Sequence, residues 1–233
     1  MPPLTPSPTV TPAATRNGRG VIAIELLTVA AMFAADFAGI IPLSKTPFLV
    51  LVVWLSLRFR SQPWTSVGLS RPRSIRHSLI LGVIAGVVME LLADFVTTPL
   101  LTQLLGGAPD LGTFREVVGN LPFLGILLAL NWPLAAFGEE LVYRGFLMAR
   151  LATLLGDSRR AWWMSLLLAN VVFGFAHGYQ GPTGVIQEGF NGVLLGLLFR
   201  YSGRNLVVPM IAHGVSNSLA FVLMYLDRYP WPH

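Results

Sequence analysis

Residues 120–155 read NLPFLGILLALNWPLAAFGEELVYRGFLMARLATLL. The stretch is apolar over most of its length, and its pattern is helical. A helix rising ~1.5 Å per residue needs about 20 residues to cross a ~30 Å hydrocarbon core. This one has residues to spare. Yet Glu139, Glu140 and Arg144 stand inside it. Burying a single such group in hydrocarbon costs at least ~2.5–3.5 kcal/mol. Three of them within six positions point to function. Pro133 should kink the helix or restart it.

The rest of the chain has the same character. Apolar residues make up 54% of the 233 positions and charged residues only 12%. Mean hydropathy is +0.65. A soluble domain has about 25% charged residues, so composition indicates a polytopic membrane protein, all-α, in one helical domain. There is no cysteine, which excludes disulfides, a thiol nucleophile and a thiolate metal site. The net charge of +5 is mostly arginine beside apolar runs. That pattern sets topology and does not fit nucleic-acid binding, which needs basic runs interleaved with aromatics on a soluble segment.

Residues 1–20 hold five prolines among Thr, Ser and Ala and read as a disordered tail. Apolar helices are expected at 21–41, 48–59, 78–98, 120–155, 161–177, 185–201 and 206–226, giving a transmembrane bundle of seven to eight spans. Residues 21–119 form its N-terminal part, 120–226 the core, and 227–233 a C-terminal tail. The 58–76 loop carries Arg58, Arg60, Arg71, Arg73 and Arg76. With the N-terminus, the 144–160 region and the 200–204 turn, it should face the cytoplasm. The 99–119 and 178–184 segments read as loops. Gly82–Gly86 and Gly192–Gly196 supply small faces for close helix packing.

Glu140 and Arg144 are four apart, share a helix face, and can pair. Glu139 points ~100° away, in the kind of low-dielectric setting that suits a general base. The alternative is an interfacial charge patch at a helix end. His177 closes the run Phe173-Gly174-Phe175-Ala176-His177, either as an interfacial cap or as a site residue. His213 and Asn217 share a helix face. They fit either an oxyanion hole or a packing pair. Glu25, Asp36, Glu90 and Asp94 read as partners for neighbouring helices or as cavity lining. Glu188 and Asn191 lie near enough to the His177 loop to touch a substrate.

Glu-Glu-x-x-x-Arg at 139–144, Phe-x-x-x-His at 173–177 and His-x-x-x-Asn at 213–217 occur in that order. Together they resemble the CAAX-protease and bacteriocin-processing family of intramembrane proteases (CPBP, or Abi), over about residues 120–226. The resemblance implies a four-helix catalytic core in which Glu139 and His177 polarise the attacking water. His213 and Asn217 would hold the oxyanion, and Glu140 with Arg144 would support the site. It leaves two chemistries open: a metal-free glutamate mechanism, or zinc held by Glu139, His177 and His213 with one open position. The implied substrate is a membrane-associated peptide or protein in contact with the bilayer. Richness in Ala, Arg and Pro fits a bacterial cytoplasmic membrane. A non-catalytic scaffold or bacteriocin-immunity factor is the second reading, and a proton-coupled transporter the third, although no repeat of hydropathy supports it. Simple spans would place Glu139 and His177 near opposite membrane faces. They meet only if the helix from 120 is long and holds Glu139 at mid-depth, or if the His177 span is tilted or re-entrant.

Overall fold

The structure, a computed structural model, describes residues 12–42 and 44–232, with side chains from residue 18 onward. The chain is an all-α bundle. Its helices are α1 (Pro12–Phe37), α2 (Thr46–Phe59), α3 (Ile75–Leu105), α4 (Leu121–Leu154), α5 (Arg159–Phe175), α6 (Gly181–Tyr201) and α7 (Val207–Tyr225). Among the described residues there is no strand. Helix α1 begins at Pro12, within the stretch expected as a tail. The rest of that expectation, residues 1–11, lies outside the described residues, as does His233.

Each expected helix is present, but not each is a span by length. Helices α1, α3, α4 and α7 are long and apolar enough to cross a membrane. Helices α5 and α6 meet at a 58° bend and count as one broken or re-entrant span. Helix α2 has 14 residues, about 21 Å at 1.5 Å each. The outer faces are greasy: Ile24, Leu27, Phe95, Leu104 and Phe175 are all exposed. A patch of that extent suits contact with lipid rather than water. The core beneath joins Val29 and Phe33 of α1, Leu49 and Val53 of α2, Phe146 of α4 and Phe173 of α5.

At two further boundaries that differ from expectation, a proline stands at the place. Helix α3 runs through Pro99 to Leu105 instead of stopping at 98. Proline has no N–H, and its ring crowds the carbonyl four residues back. The winding widens to a π turn over Ala93–Thr97 just before it, and Thr97 Oγ1 donates to Leu92 O at 3.4 Å. Helix α6 begins at Gly181, inside the segment read as a loop. Pro182 sits in its first turn, where the missing N–H has no helical partner to lose.

Helix α4 shows the same response on a larger scale. Pro133 does not interrupt it. The helix is π-wound from Asn131 to Leu147, spanning Glu139, Glu140 and Arg144. Wide turns of this kind recur at functional sites. The result is an unbroken helix of 34 residues with Glu139 near its middle.

Helix α3 packs on α7 through the expected small face. A Cβ on Gly82 would lie 2.6 Å from Ile211 Cβ, and one on Gly86 2.5 Å from Ala212 O. The two backbones touch there. Gly86→Val is expected to push α7 outward and destabilise the protein by about 1–3 kcal/mol through overpacking. Thermal unfolding in detergent would register it, and an unchanged midpoint would rule out the close approach.

Near the 58–76 loop, Glu25 of α1 ties three helices together. Arg150 Nε of α4 lies 2.7 Å from Glu25 Oε2 and Arg60 Nη1 3.3 Å from it, and Ser56 of α2 donates to Oε1. Glu25 therefore does pair with neighbouring helices. Arg150 is only 5% exposed. Its guanidinium is occupied by Glu25, Ser56 and Gln62 and lies over the Phe146 ring.

Candidate functional site

The expected ion pair is present and wholly enclosed. Arg144 Nη1 donates to Glu140 Oε1 at 2.8 Å, and neither side chain has any exposed surface. The pair's other polar atoms are engaged in part, since Glu140 Oε2 and Arg144 Nε are buried without a hydrogen-bond partner. Arg144 Nη2 donates to Asn170 Oδ1 of α5 at 3.1 Å. The guanidinium carbon lies 4.3 Å from the centre of the Phe173 ring. Asn170 is held in turn by donation to Leu166 O at 2.7 Å. Gly192 and Gly196 of α6 close over this group. A Cβ on Gly192 would lie 2.6 Å from Asn170 Oδ1 and 3.0 Å from Arg144 Nη2. The second small face thus makes room for the ion pair.

Glu140 has another partner that the sequence did not reveal. His213 Nδ1 of α7 lies 2.8 Å from the same Oε1. A carboxylate oxygen only accepts, so Nδ1 is the protonated nitrogen. Glu140 therefore fixes the tautomer and the direction of the His213 ring. That is the orienting role a buried acid performs for an imidazole.

His177 follows the last residues of α5, at the bend before α6. Its Nδ1 is 2.9 Å from Phe173 O. A carbonyl is also acceptor only, so Nδ1 carries the proton and Nε2 keeps its lone pair in the neutral ring. The Phe173 ring stands 4.7 Å from the His177 ring and 6.1 Å from that of His213. Phe173 is therefore a shared wall for both imidazoles and for Arg144.

Asn217 of α7 donates to Asn131 Oδ1 of α4 at 3.1 Å. Asn131 donates onward to Gly214 O and Ser218 Oγ at 2.9 and 3.1 Å. One N–H of the Asn217 amide remains for other use.

Glu139, His177, His213 and Asn217 all line one cavity of about 220 Å³. Glu140 and Arg144 lie behind its wall. The long unbroken α4 places Glu139 at mid-helix, His177 sits at the α5–α6 bend, and the two line the same cavity. Among the described residues no three His, Asp or Glu side chains gather as a metal-binding group. Both histidines commit Nδ1 to protein acceptors and leave Nε2 free, an arrangement that a metal-ligating imidazole also uses.

Two residues of the site were not singled out in the sequence. Asn170 and Asn131 are lone amides in apolar helices. Asn170, Phe173 and His177 follow i, i+3, i+7 spacing, which puts them on one face. Glu90 of α3 was read as a helix partner or lining residue, and it is both. It lines the cavity and accepts from Ser216 Oγ at 2.6 Å. A charge in mid-span was its signal. Glu188 and Asn191 of α6 line the same cavity.

A helical membrane bundle with a carboxylate, two imidazoles and an amide around one enclosed space is similar in class to a protease that works within the bilayer. Residues 121–219 match the family described as Type II CAAX prenyl endopeptidase Rce1-like. The matched segment starts with α4 and ends in α7, so it contains all three motifs, and the likeness to CAAX proteases read from those motifs is shown over it. No curated protein and no solved structure gives a significant match.

Proposed function

We propose that this chain is an intramembrane endopeptidase that hydrolyses a peptide bond of a membrane-associated peptide or protein. The observation that supports this best is the shared cavity of Glu139, His177, His213 and Asn217, with the Glu140–Arg144 pair directly behind it. Glu139 and the free Nε2 of His177 hold a water. Glu139 takes its proton as the oxygen adds to the scissile carbonyl carbon. The carbonyl oxygen becomes an oxyanion, held by the remaining Asn217 N–H and by His213 Nε2. His213 can donate from Nε2 while also donating from Nδ1 only as the imidazolium. Glu140 supplies the countercharge. The intermediate collapses, the C–N bond breaks, and Glu139 returns its proton to the departing nitrogen. No step runs through zinc, and hydrolysis that persists after treatment with a chelator is the expected result.

The test is hydrolysis by protein reconstituted in liposomes, with prenylated and unprenylated membrane-anchored peptides and products identified by mass. Cleavage lost in His177→Ala supports the reading. Peptide binding without cleavage would indicate the scaffold, and proton-driven flux without cleavage the transporter.

The arginine asymmetry further supports a cytoplasmic N-terminus and a cytoplasmic 58–76 loop. Single cysteines can be placed in this cysteine-free chain at the exposed positions Thr65 and Thr113. An impermeant thiol reagent added to intact cells should label Thr113→Cys and leave Thr65→Cys untouched. The reverse pattern would invert the topology and the side from which substrate enters.

A further inference from the structure

The cavity that holds the proposed catalytic group has a second charged wall. Glu90 of α3, Glu139 of α4 and Glu188 of α6 line it, and no lysine or arginine does. Asp94 lies beside Glu90, one helical turn on. The cations of this region are committed elsewhere, with Arg144 given over to Glu140, Asn170 and the Phe173 ring.

Two of these carboxylates are incompletely satisfied. Glu90 is 5% exposed. Its Oε2 accepts from Ser216, its Oε1 makes no hydrogen bond of good geometry, and the Tyr229 hydroxyl is the one further donor near the group. Glu139 Oε2 is likewise buried and unpartnered. A buried carboxylate oxygen without a donor is costly. Two of them on helices that wall one cavity are an acceptor set awaiting a donor. The phenol of Tyr229, another lining residue, is pushed up by its burial and by Glu90, Asp94 and Glu188. It stays protonated and adds no charge of its own. The wall therefore carries carboxyl groups and neither lysine nor arginine.

Resting on the peptidase reading above, we infer that Glu90 and Glu188 make this cavity selective for a substrate that carries a cationic group, ammonium or guanidinium, near the scissile bond. A cation entering the cavity meets carboxylates with no competing protein cation. A peptide with a carboxylate at the same place meets like charge at low dielectric and is rejected. The cation has two chemical sources: a lysine or arginine side chain, or the free amino terminus of a short peptide.

The experiment uses the full chain in liposomes and membrane-anchored peptides that differ only by Lys, norleucine or Glu at one position, scanned across the sequence. Each is made with a free or an acetylated amino terminus. At one or more positions, kcat/KM for the Lys peptide should exceed that for norleucine by about tenfold or more, as expected for a close charge pair out of bulk water. The Glu peptide should be slower still. Acetylation that removes the preference assigns the cation to the amino terminus, and persistence after acetylation assigns it to the side chain. Glu188→Gln should bring the Lys-to-norleucine ratio toward one, and Glu188→Lys should favour the Glu peptide. Glu188 is only partly buried, so its variants remain informative even if Glu90→Gln fails to fold.

Cleavage with no charge preference at any position overturns the selectivity and leaves the peptidase reading standing. Lys-selective binding to the wild type with no cleavage of any peptide supports the selectivity and overturns the peptidase reading. Neither cleavage nor selective binding overturns both.

Discussion

Glu139→Gln is expected to lower kcat for peptide hydrolysis by about 10²–10⁴, the usual contribution of a positioned general base, with little change in thermal stability. The substitution keeps size and shape and removes only the ability to take a proton. Little of the fold depends on that charge. Glu139 lines the cavity, and its Oε2 has no hydrogen-bond partner. Its neighbour makes the control. Glu140 is fully buried and serves both Arg144 and His213. Glu140→Gln should therefore reduce activity and stability together. Two adjacent carboxylates would then separate by readout: Glu139 by turnover alone, Glu140 by turnover and unfolding. Wild-type turnover in Glu139→Gln would remove it from the chemistry, and equal destabilisation by both variants would make the pair structural.

The parts of this site visible in the sequence were those that depend on local spacing. Glu140 and Arg144 are four apart on one helix, and they do pair. Gly82 and Gly86 read as a packing face, and α7 lies against it. Hydropathy located all seven helices, because an apolar run in this composition has few alternatives to a helix. What the sequence could not show was winding and bending. Two prolines suggested breaks at 98 and 133, yet the helix continues through both because the turns widen to admit the ring. Gly181-Pro182 looked like loop but starts a helix. That Glu139 and His177 line one cavity depends on these features, so in the sequence their relation stood as a conflict with two ways out. Contacts between distant helices were equally silent. That His213 leans on Glu140 is a relation across 73 positions, and no local pattern encodes it. Asn170 was overlooked because an amide carries no charge to mark it, although its burial makes it as consequential as an ion.

Arg144→Ala should be the most destabilising single change at the site. The arginine joins α4 to α5 through Asn170 and covers the Phe173 ring, and its charge balances Glu140. Removing one member of a buried pair costs about 3–5 kcal/mol, because the other charge is stranded. At about 2–4 °C per kcal/mol for a chain of this size, the unfolding midpoint should fall by roughly 6–20 °C. Reduced expression should accompany it. Two companion variants separate charge from packing. Arg144→Lys keeps the charge but loses the planar fork that reaches Glu140 and Asn170 together, so it should recover only part of the loss. Glu140→Gln combined with Arg144→Met removes both charges and keeps the bulk. It should unfold later than Arg144→Ala, because no ion is left unpaired, yet stay inactive because His213 has lost its carboxylate countercharge. An Arg144→Ala variant with the wild-type midpoint would show that Glu140 does not depend on the guanidinium. A double variant no more stable than Arg144→Ala would assign the loss to packing on Phe173 rather than to charge.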